Sequence, residues 1–376
     1  MHLYYVLNYL TNTTGGEHFL ADLACEMRKQ GHSVTILAGY SDPTLEEELK
    51  GLGIEVLSAS VLDPEKLPYH QPANVALMLY RLTRKISESA SKETEIVIHT
   101  NSHFPNLITY FIRKPCIGSI YHIENLAELT NAYAKYFGYI VQDVLEVNAP
   151  YTILHTLSIY TAEMLKSRLF RQTPVVIIPP GIRLQKYLSL KRKPELGHYL
   201  MIGRLEPRKH YEHAILAMKL AVKRNPNLKL TIIGDGPSKT NLEALIKKYS
   251  LEKNITLLGK TPENEKLDLL SQAEALVHLG YPEGFGIVII EALAAGTPVI
   301  AYNVPPLNEL VKHGIAGLLV PQNNIRSLAS DLLFFHKFYF NEEYLREVAK
   351  KYELKRIAEI FRSVYETLAK KYFAKQ

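Results

Sequence analysis

Short runs of Val, Ile, Leu and Tyr recur along the chain, separated by longer segments whose apolar residues return every three or four positions. The runs MHLYYVLNYL at 1–10, VTIL at 34–37, IEVL at 54–57, EIVIHT at 95–100, CIGSIYH at 116–122, YTILHTL at 151–157 and VVIIPP at 175–180 predict strands. Continuously apolar strands are those covered on both faces, and strands interleaved with amphipathic helices predict a doubly wound parallel sheet. The rhythm breaks at PPGIRLQKYLSLKRKPELG, residues 179–197, where Pro, Gly and basic residues cluster. It restarts with YLMIGRL at 199–205, LKLTIIGDG at 228–236, NITLLG at 254–259, EALVHLG at 274–280, TPVIAYN at 297–303 and AGLLVP at 316–321. The expected organisation is therefore an α/β domain over residues 1–182, a linker over 183–198 and a second α/β domain over 199–355. From about Asn341 the chain turns charged and helical, with Ile357, Phe361, Val364, Tyr365 and Leu368 forming one apolar stripe. Such a stripe requires a surface to cover. Two open parallel sheets bind ligands outside the carboxyl ends of their strands, so a ligand in a cleft between the domains is expected.

Composition narrows the classes. A length of 376 residues with 47% hydrophobic and 22% charged residues is an ordinary globular balance, large enough for two cores. The two cysteines, Cys25 and Cys116, are far apart and lack a CxxC partner, which speaks against a disulfide framework or structural zinc and for a reducing, cytoplasmic setting. The apolar start has neither a basic leader nor a small-residue cleavage site, and no uncharged apolar stretch of about 18 residues follows, so no membrane span is expected. Charge is uneven: residues 1–180 carry 14 Lys+Arg against 18 Asp+Glu, and the remainder carries 30 against 20. A basic second half suits phosphates or an anionic surface, but no interleaving of basic and aromatic residues marks a nucleic-acid site. VALMLYRLTRKI at 75–86 is amphipathic and basic, which leaves peripheral membrane contact open beside an ordinary surface helix.

Several chemistries are excluded by spacing. The GKT at 259–261 lacks the glycine a phosphate-binding P-loop needs at position 254, which is Asn. Neither GxGxxG nor GxSxG occurs. No Asp lies two residues from another Asp, removing the paired carboxylates that often hold a divalent metal on a nucleotide sugar. His99 and His103 would share a metal only on a helix, and His99 lies in a strand-like run, where four residues span roughly 13 Å. No metal is expected.

What remains points to a diphosphate. In PEGFGIVIIEALAAGTPVIAYN, residues 282–303, Glu283 precedes Gly284 and Gly286, whose backbone N–H groups can face an anion at a helix entrance. Glu291 follows eight residues later, a little over two helical turns, so both carboxylates can meet hydroxyls of one elongated ligand. Gly296 then stops the helix before an apolar strand.

This segment resembles the E-x7-E signature of the GT4 family of retaining glycosyltransferases, which have the GT-B fold. The resemblance extends to GRLEPRKHYEHAI at 203–215, IIGDGP at 232–237 and LTNTTGGEHFLADLACEMRKQGHSVTIL at 10–37, in family order over most of the chain. It implies two facing Rossmann-like domains, acceptor domain first and nucleotide-sugar domain second, with a C-terminal helix over 356–376 returning to the first. It implies that Arg204 and Lys209 clamp the donor diphosphate, Glu283 meets the transferred sugar and Glu291 the ribose hydroxyls, with Gly16, Gly203, Gly284, Phe285, Gly286 and Ile287 lining the donor site. His122, at the end of IGSIYH, falls where the family's imidazole contacts the transferred sugar. Gly15, His99 and His103 are acceptor-side candidates. The implied reaction moves a hexose from a nucleotide diphosphate, UDP-glucose before GDP-mannose, to a glycan, lipid-linked or small-molecule hydroxyl, with retention, no cofactor and no metal.

Two loops depart from the family. HLGYPEG stands where a Pro-Ser pair is frequent, and YNVPPLNELV where a Gly-Gly-x-x-Glu pattern is common, although Glu309 still falls on that Glu. Tyr133, Tyr136, Phe137 and Tyr139 can stack on sugars, and helical packing explains them as well. A nucleotide-sugar 2-epimerase of the same fold and a non-enzymatic two-domain sugar-binding protein are the alternatives. Donor base, acceptor and oligomeric state stay open.

Overall fold

Each apolar run forms a strand in the computed structural model, which describes residues 1–11, 15–61, 72–90, 95–101, 104–121 and 144–373. Among these residues the chain divides into two compact units: residues 1–181 together with 354–376, and residues 182–353. The first holds β1 (His2–Leu10), β2 (Ser33–Ser41), β3 (Glu55–Ser58), β4 (Ile96–Asn101), β5 (Cys116–Ser119), β6 (Ile153–Thr156) and β7 (Val175–Ile177). They form one sheet in the order β3-β2-β1-β4-β5-β6-β7, with every pairing parallel.

Strand β1 shows why it reads as a continuous apolar run. Leu3, Tyr5 and Leu7 enter one cluster with the helix Gly15–Lys29, and Tyr4 and Val6 enter another with the helix Pro72–Ala90. Successive side chains point to opposite faces, and both faces are dry.

The helix Leu354–Phe373 packs on the first of these clusters, placing Ile357, Phe361, Tyr365 and Leu368 in the core of the first unit. Phe361 is fully buried, with ring centroids 4.9 Å from His155, 5.5 Å from His99 and 6.0 Å from Phe19. A chain of buried polar groups runs beside it. The Tyr5 hydroxyl donates to that of Tyr365 at 3.2 Å, Tyr365 lies 2.7 Å from His99 Nδ1, His99 Nε2 is 2.6 Å from Ser119 Oγ, and Ser119 Oγ is 2.6 Å from His155 Nδ1. His155 Nε2 ends the chain on the Ile178 carbonyl at 2.8 Å.

Burial pushes His155 down to about 4, the Ile178 carbonyl opposing, and burial and then His155 push His99 well below the usual imidazole range. Both rings are neutral when folded. A histidine with a depressed folded pKa contributes full stability above its unfolded value near 6.5 and loses it as pH falls toward its folded value. Calorimetry should therefore show the first unit losing about 3 kcal/mol through His155 between pH 6.5 and 4. The slope should flatten in His155→Asn. An unchanged slope in that variant would remove the histidine from the acid transition.

The second unit holds β8 (Glu195–Ile202), β9 (Lys229–Ile233), β10 (Ile255–Gly259), β11 (Ala273–His278), β12 (Val299–Tyr302) and β13 (Gly317–Val320), all parallel in the order β10-β9-β8-β11-β12-β13. The segment 183–198, expected as a linker, is built into this unit. Gln185–Leu188 is a helical turn, and β8 begins at Glu195. Arg192 donates to the carbonyls of Leu270 and Ser271 at 3.2 Å and of Ala273 at 2.6 Å, satisfying the end of the helix Glu263–Gln272. One residue of the basic run thus serves as a carbonyl clamp.

Candidate functional site

In a sheet ordered β10-β9-β8-β11-β12-β13, the order in which strands are added reverses between β8 and β11, and such sheets bind ligands where those two strands end. The turn after β8 carries Gly203 and Arg204. It lies so close to the turn after β9 that a Cβ on Gly234 would stand 1.9 Å from the Gly203 carbonyl oxygen, and Gly234 has φ 144°. Only glycine fits there. The Leu205 N–H donates to the Asp235 carbonyl at 2.9 Å, fixing the pair of turns.

A 3₁₀ turn, Pro207–Lys209, then meets the loop after β11. The Tyr281 N–H donates to the Arg208 carbonyl at 2.8 Å, and Arg208 Nη1 returns a bond to the Pro282 carbonyl at 3.3 Å. Within this lacing, Lys209 Nζ forms a very close ion pair with Glu283 Oε2, both side chains being 13% exposed. Arg208 Nη1 and His278 Nε2 each lie 3.5 Å from the same oxygen. A Cβ on Gly280 would fall 2.7 Å from Glu283 Oε2 and 3.2 Å from Lys209 Cδ, so the loop needs glycine's lack of bulk to bring these groups together. Burial opposes the Glu283 charge, but Lys209, His278 and Arg208 outweigh it and hold the carboxyl well below its usual range. His278, buried and beside Lys209, is pushed down despite Glu283. Arg204 is half-exposed and pairs with Glu206 at 3.1 Å; Glu206 in turn pairs with Arg208 at 3.0 Å. The result is a basic rim, Arg204 and Arg208, over a buried Lys209–Glu283 pair.

Gly286, with φ 97°, turns the chain into the helix Ile287–Ala295, and Gly296 ends it before β12. The first-turn N–H groups of such a helix have no acceptor within it and suit an anion. Gly284 and Ile287 are half-buried, but the Phe285 side chain is buried and packs edge-on against Tyr352 at 5.5 Å, so only its backbone can serve a ligand. Glu291, 14% exposed, accepts from the Tyr187 hydroxyl at 2.6 Å and receives Lys266 Nζ at 3.3 Å on both oxygens. Lys266 also pairs with Glu263 at 3.0 Å, and Glu263 with Lys186. Burial opposes the Lys266 charge, but Glu291 and Glu263 outweigh it and raise its pKa; burial and the same two carboxylates push the Tyr187 hydroxyl far up, so it stays a donor. Glu309 is exposed on the short helix Leu307–Leu310.

In the first unit, Gly15 and Gly16 open the helix Gly15–Lys29 as part of its first turn. A Cβ on Gly16 would meet the Tyr121 ring at 2.9 Å, so this glycine is needed for the close approach of the helix to that ring after β5. His99, an acceptor-side candidate, is 1% exposed with both ring nitrogens bonded inside the core, which leaves it no face for an acceptor. His122 and His103 lie outside the described residues, as do Tyr133, Tyr136, Phe137 and Tyr139. On the helix Pro72–Ala90, Arg81 and Lys85 donate to the carbonyls of Ala59 and Ser58 and Arg84 pairs with Glu88, as on an ordinary surface helix. No helix among the described residues is long and apolar enough to cross a membrane.

Two family models match, one after the other. Residues 13–186 match Glycosyltransferase Family 4 and residues 189–355 match Glycosyl transferases group 1, so together they take in nearly all of the chain. The chain belongs to the group 1, family 4 glycosyltransferases. Among curated relatives, this glycosyltransferase is 36% identical over 154 residues to an exopolysaccharide phosphotransferase of Streptomyces coelicolor, covering 40% of the chain and 16% of the relative. It is 32% identical over 158 residues to a glycogen synthase of Mycobacterium tuberculosis, covering 42% and 38%. The matches thus span well under two thirds of these relatives' length. Among solved structures, HepE of Anabaena, crystallised with UDP and glucose, superposes with a TM-score of 0.77 at 17% identity over 97% of this chain and 99% of that one. The two parallel sheets are those of the GT-B fold.

The glycosyltransferase's site holds residues that the sequence reading missed. Arg208 adjoins Lys209, and His278 ends β11 two positions before Gly280; either is findable from its place at a strand or turn end. Lys186, Tyr187, Glu263 and Lys266 had no such signal, because the first two fell in the supposed linker and the others on an unremarked helix. One further group stands apart: His210, Glu212 and His213 have ligand atoms all within 4.8 Å of one another, a candidate place for a metal ion.

Proposed function

We propose that this glycosyltransferase moves a hexose from a nucleotide diphosphate sugar to an acceptor hydroxyl with retention of configuration, using no metal and no protein nucleophile in the transfer. The observation that carries this reading is the basic rim of Arg204 and Arg208 over the buried Lys209–Glu283 pair, at the switch point of the second sheet. Fixed cations at that point suit a diphosphate and oppose the charge that grows on it as the glycosidic bond breaks. The amides at the start of the helix Ile287–Ala295 add to the same effect. Glu283 and Glu291 are each already paired with a lysine, which suits them to accept hydrogen bonds from sugar and ribose hydroxyls rather than to attack carbon or remove a proton. The departing phosphate is then the base for the acceptor proton.

UDP is the proposed leaving group and UDP-glucose the first donor, supported by the likeness to a structure holding UDP and glucose. The acceptor is a glycan, lipid-linked or small-molecule hydroxyl. Cytoplasmic placement belongs to the same reading, supported by two buried free thiols, Cys25 and Cys116. A thermal-shift panel tests the donor. UDP at a hundred times its Kd should stabilise the second unit by about 2.7 kcal/mol, equally with and without EDTA, and GDP and ADP should do less. No shift with UDP, or a shift abolished by EDTA, overturns the reading. Release of UDP and free hexose or hexosyl product from UDP-glucose then separates transfer from mere binding.

A further inference from the structure

Directly after Lys209 the sequence reads His210-Tyr211-Glu212-His213, opening the helix Tyr211–Ala221. His210 sits at φ 51°, ψ 40°, a left-handed conformation uncommon for a residue with a Cβ. That geometry folds its ring back over the first helical turn, where it stacks parallel to His213 with centroids 4.7 Å apart and planes 5° apart. Both rings then present a nitrogen to one carboxylate oxygen: His210 Nδ1 lies 3.4 Å and His213 Nε2 3.8 Å from Glu212 Oε1. These separations are long for charge-assisted hydrogen bonds. They are close to the roughly 3.3 Å between neighbouring donors of a tetrahedral metal with bonds near 2.05 Å.

Two other features fit a ligand set. The second nitrogen of His213, Nδ1, lies 2.6 Å from the Tyr302 hydroxyl at the end of β12, the kind of outer partner that fixes the tautomer and orientation of a metal-bound imidazole. The side chains of His210 and His213 are 21% and 20% exposed and that of Glu212 40%, so the group can be reached from solvent.

We propose that His210, Glu212 and His213 bind one divalent transition metal of the zinc type, with the fourth position left to water. Two imidazoles and a carboxylate form the donor set of zinc sites that keep such a position open. The site stands outside the clamp and takes no part in the transfer. It lies next to it in sequence, so an ion there would lock the left-handed turn that ends Pro207–Lys209 and with it the placement of Arg208 and Lys209. Occupancy would then brace that turn without changing the thermal shift that UDP gives.

Cobalt(II) titration of untagged protein, followed by visible absorption, tests this. The wild type should show a tetrahedral band saturating at one equivalent and displaced by zinc. His210→Ala and His213→Ala should lose the band and Glu212→Gln should weaken it, while all three keep their thermal shift with UDP as evidence of an intact fold. His336→Ala, on an exposed turn, should bind as the wild type does. A wild type without a saturable one-equivalent band, a band surviving in His213→Ala, or one lost only in His336→Ala would each overturn the site.

Discussion

Lys209→Met should lower turnover, read as UDP release, by about a hundredfold or more, the usual loss when one pre-placed charge-stabilising group is removed. The substitution keeps the aliphatic stem and deletes only the charge. It also strips Glu283 of its closest partner, leaving a largely buried carboxylate with Arg208 and His278 at 3.5 Å. A stability loss of about 3 kcal/mol is therefore expected alongside the kinetic one. Glu283→Gln in the same background separates the two. With no carboxylate to strand, the double variant should regain most of its melting temperature while turnover stays low. Recovery of turnover in the double variant would mean that Lys209 serves only as the counter-ion of Glu283 and that the phosphate clamp lies elsewhere.

Phe361→Ala should destabilise the first unit by about 3–5 kcal/mol, the range for an aromatic deleted from a closed core. Its ring is fully buried against His155, His99, Phe19 and Tyr365, and those neighbours are bonded or packed in ways that leave them little freedom to collapse into the gap. Calorimetry should show one transition moving and the other staying, because Phe361 belongs to the core of the first unit. Two transitions moving together would show that the units unfold as one. A shift below about 1 kcal/mol would mean that the helix Leu354–Phe373 contributes little to that core.

What was legible in the sequence was whatever periodicity or a short-range constraint records. Strands buried on both faces advertise themselves as unbroken apolar runs, and a helix of nine residues between Gly286 and Gly296 is bracketed by the residues its ends require. Glu283 and Glu291 stood in one segment resembling a known signature and Lys209 in another, and the structure places each beside an opposite charge. Tyr187 illustrates what was not legible. Its hydroxyl meets Glu291 across 104 residues, and nothing near either position in the chain records that meeting. His99 illustrates the converse error: a polar residue near a strand end reads as functional, whereas here a hydroxyl on each side lets it sit in the core. Arg192 was hidden by composition, since a basic run looks solvated until the carbonyls that receive it are known.

The helix Leu354–Phe373 belongs to the first unit but follows the whole of the second in the chain. On a ribosome delivering the chain from its amino terminus, residues 182–353 are complete while the sheet β1–β7 still lacks one of its covering layers. The unit translated first is thus the one that finishes last. Until the helix arrives, Tyr5 and Phe19 lack the Tyr365 and Phe361 rings that pack on them, and the nascent chain carries that gap through the synthesis of some 170 further residues. The demand for protection during synthesis falls on the sheet that holds β1, and a truncation between β13 and Leu354 leaves it without that layer.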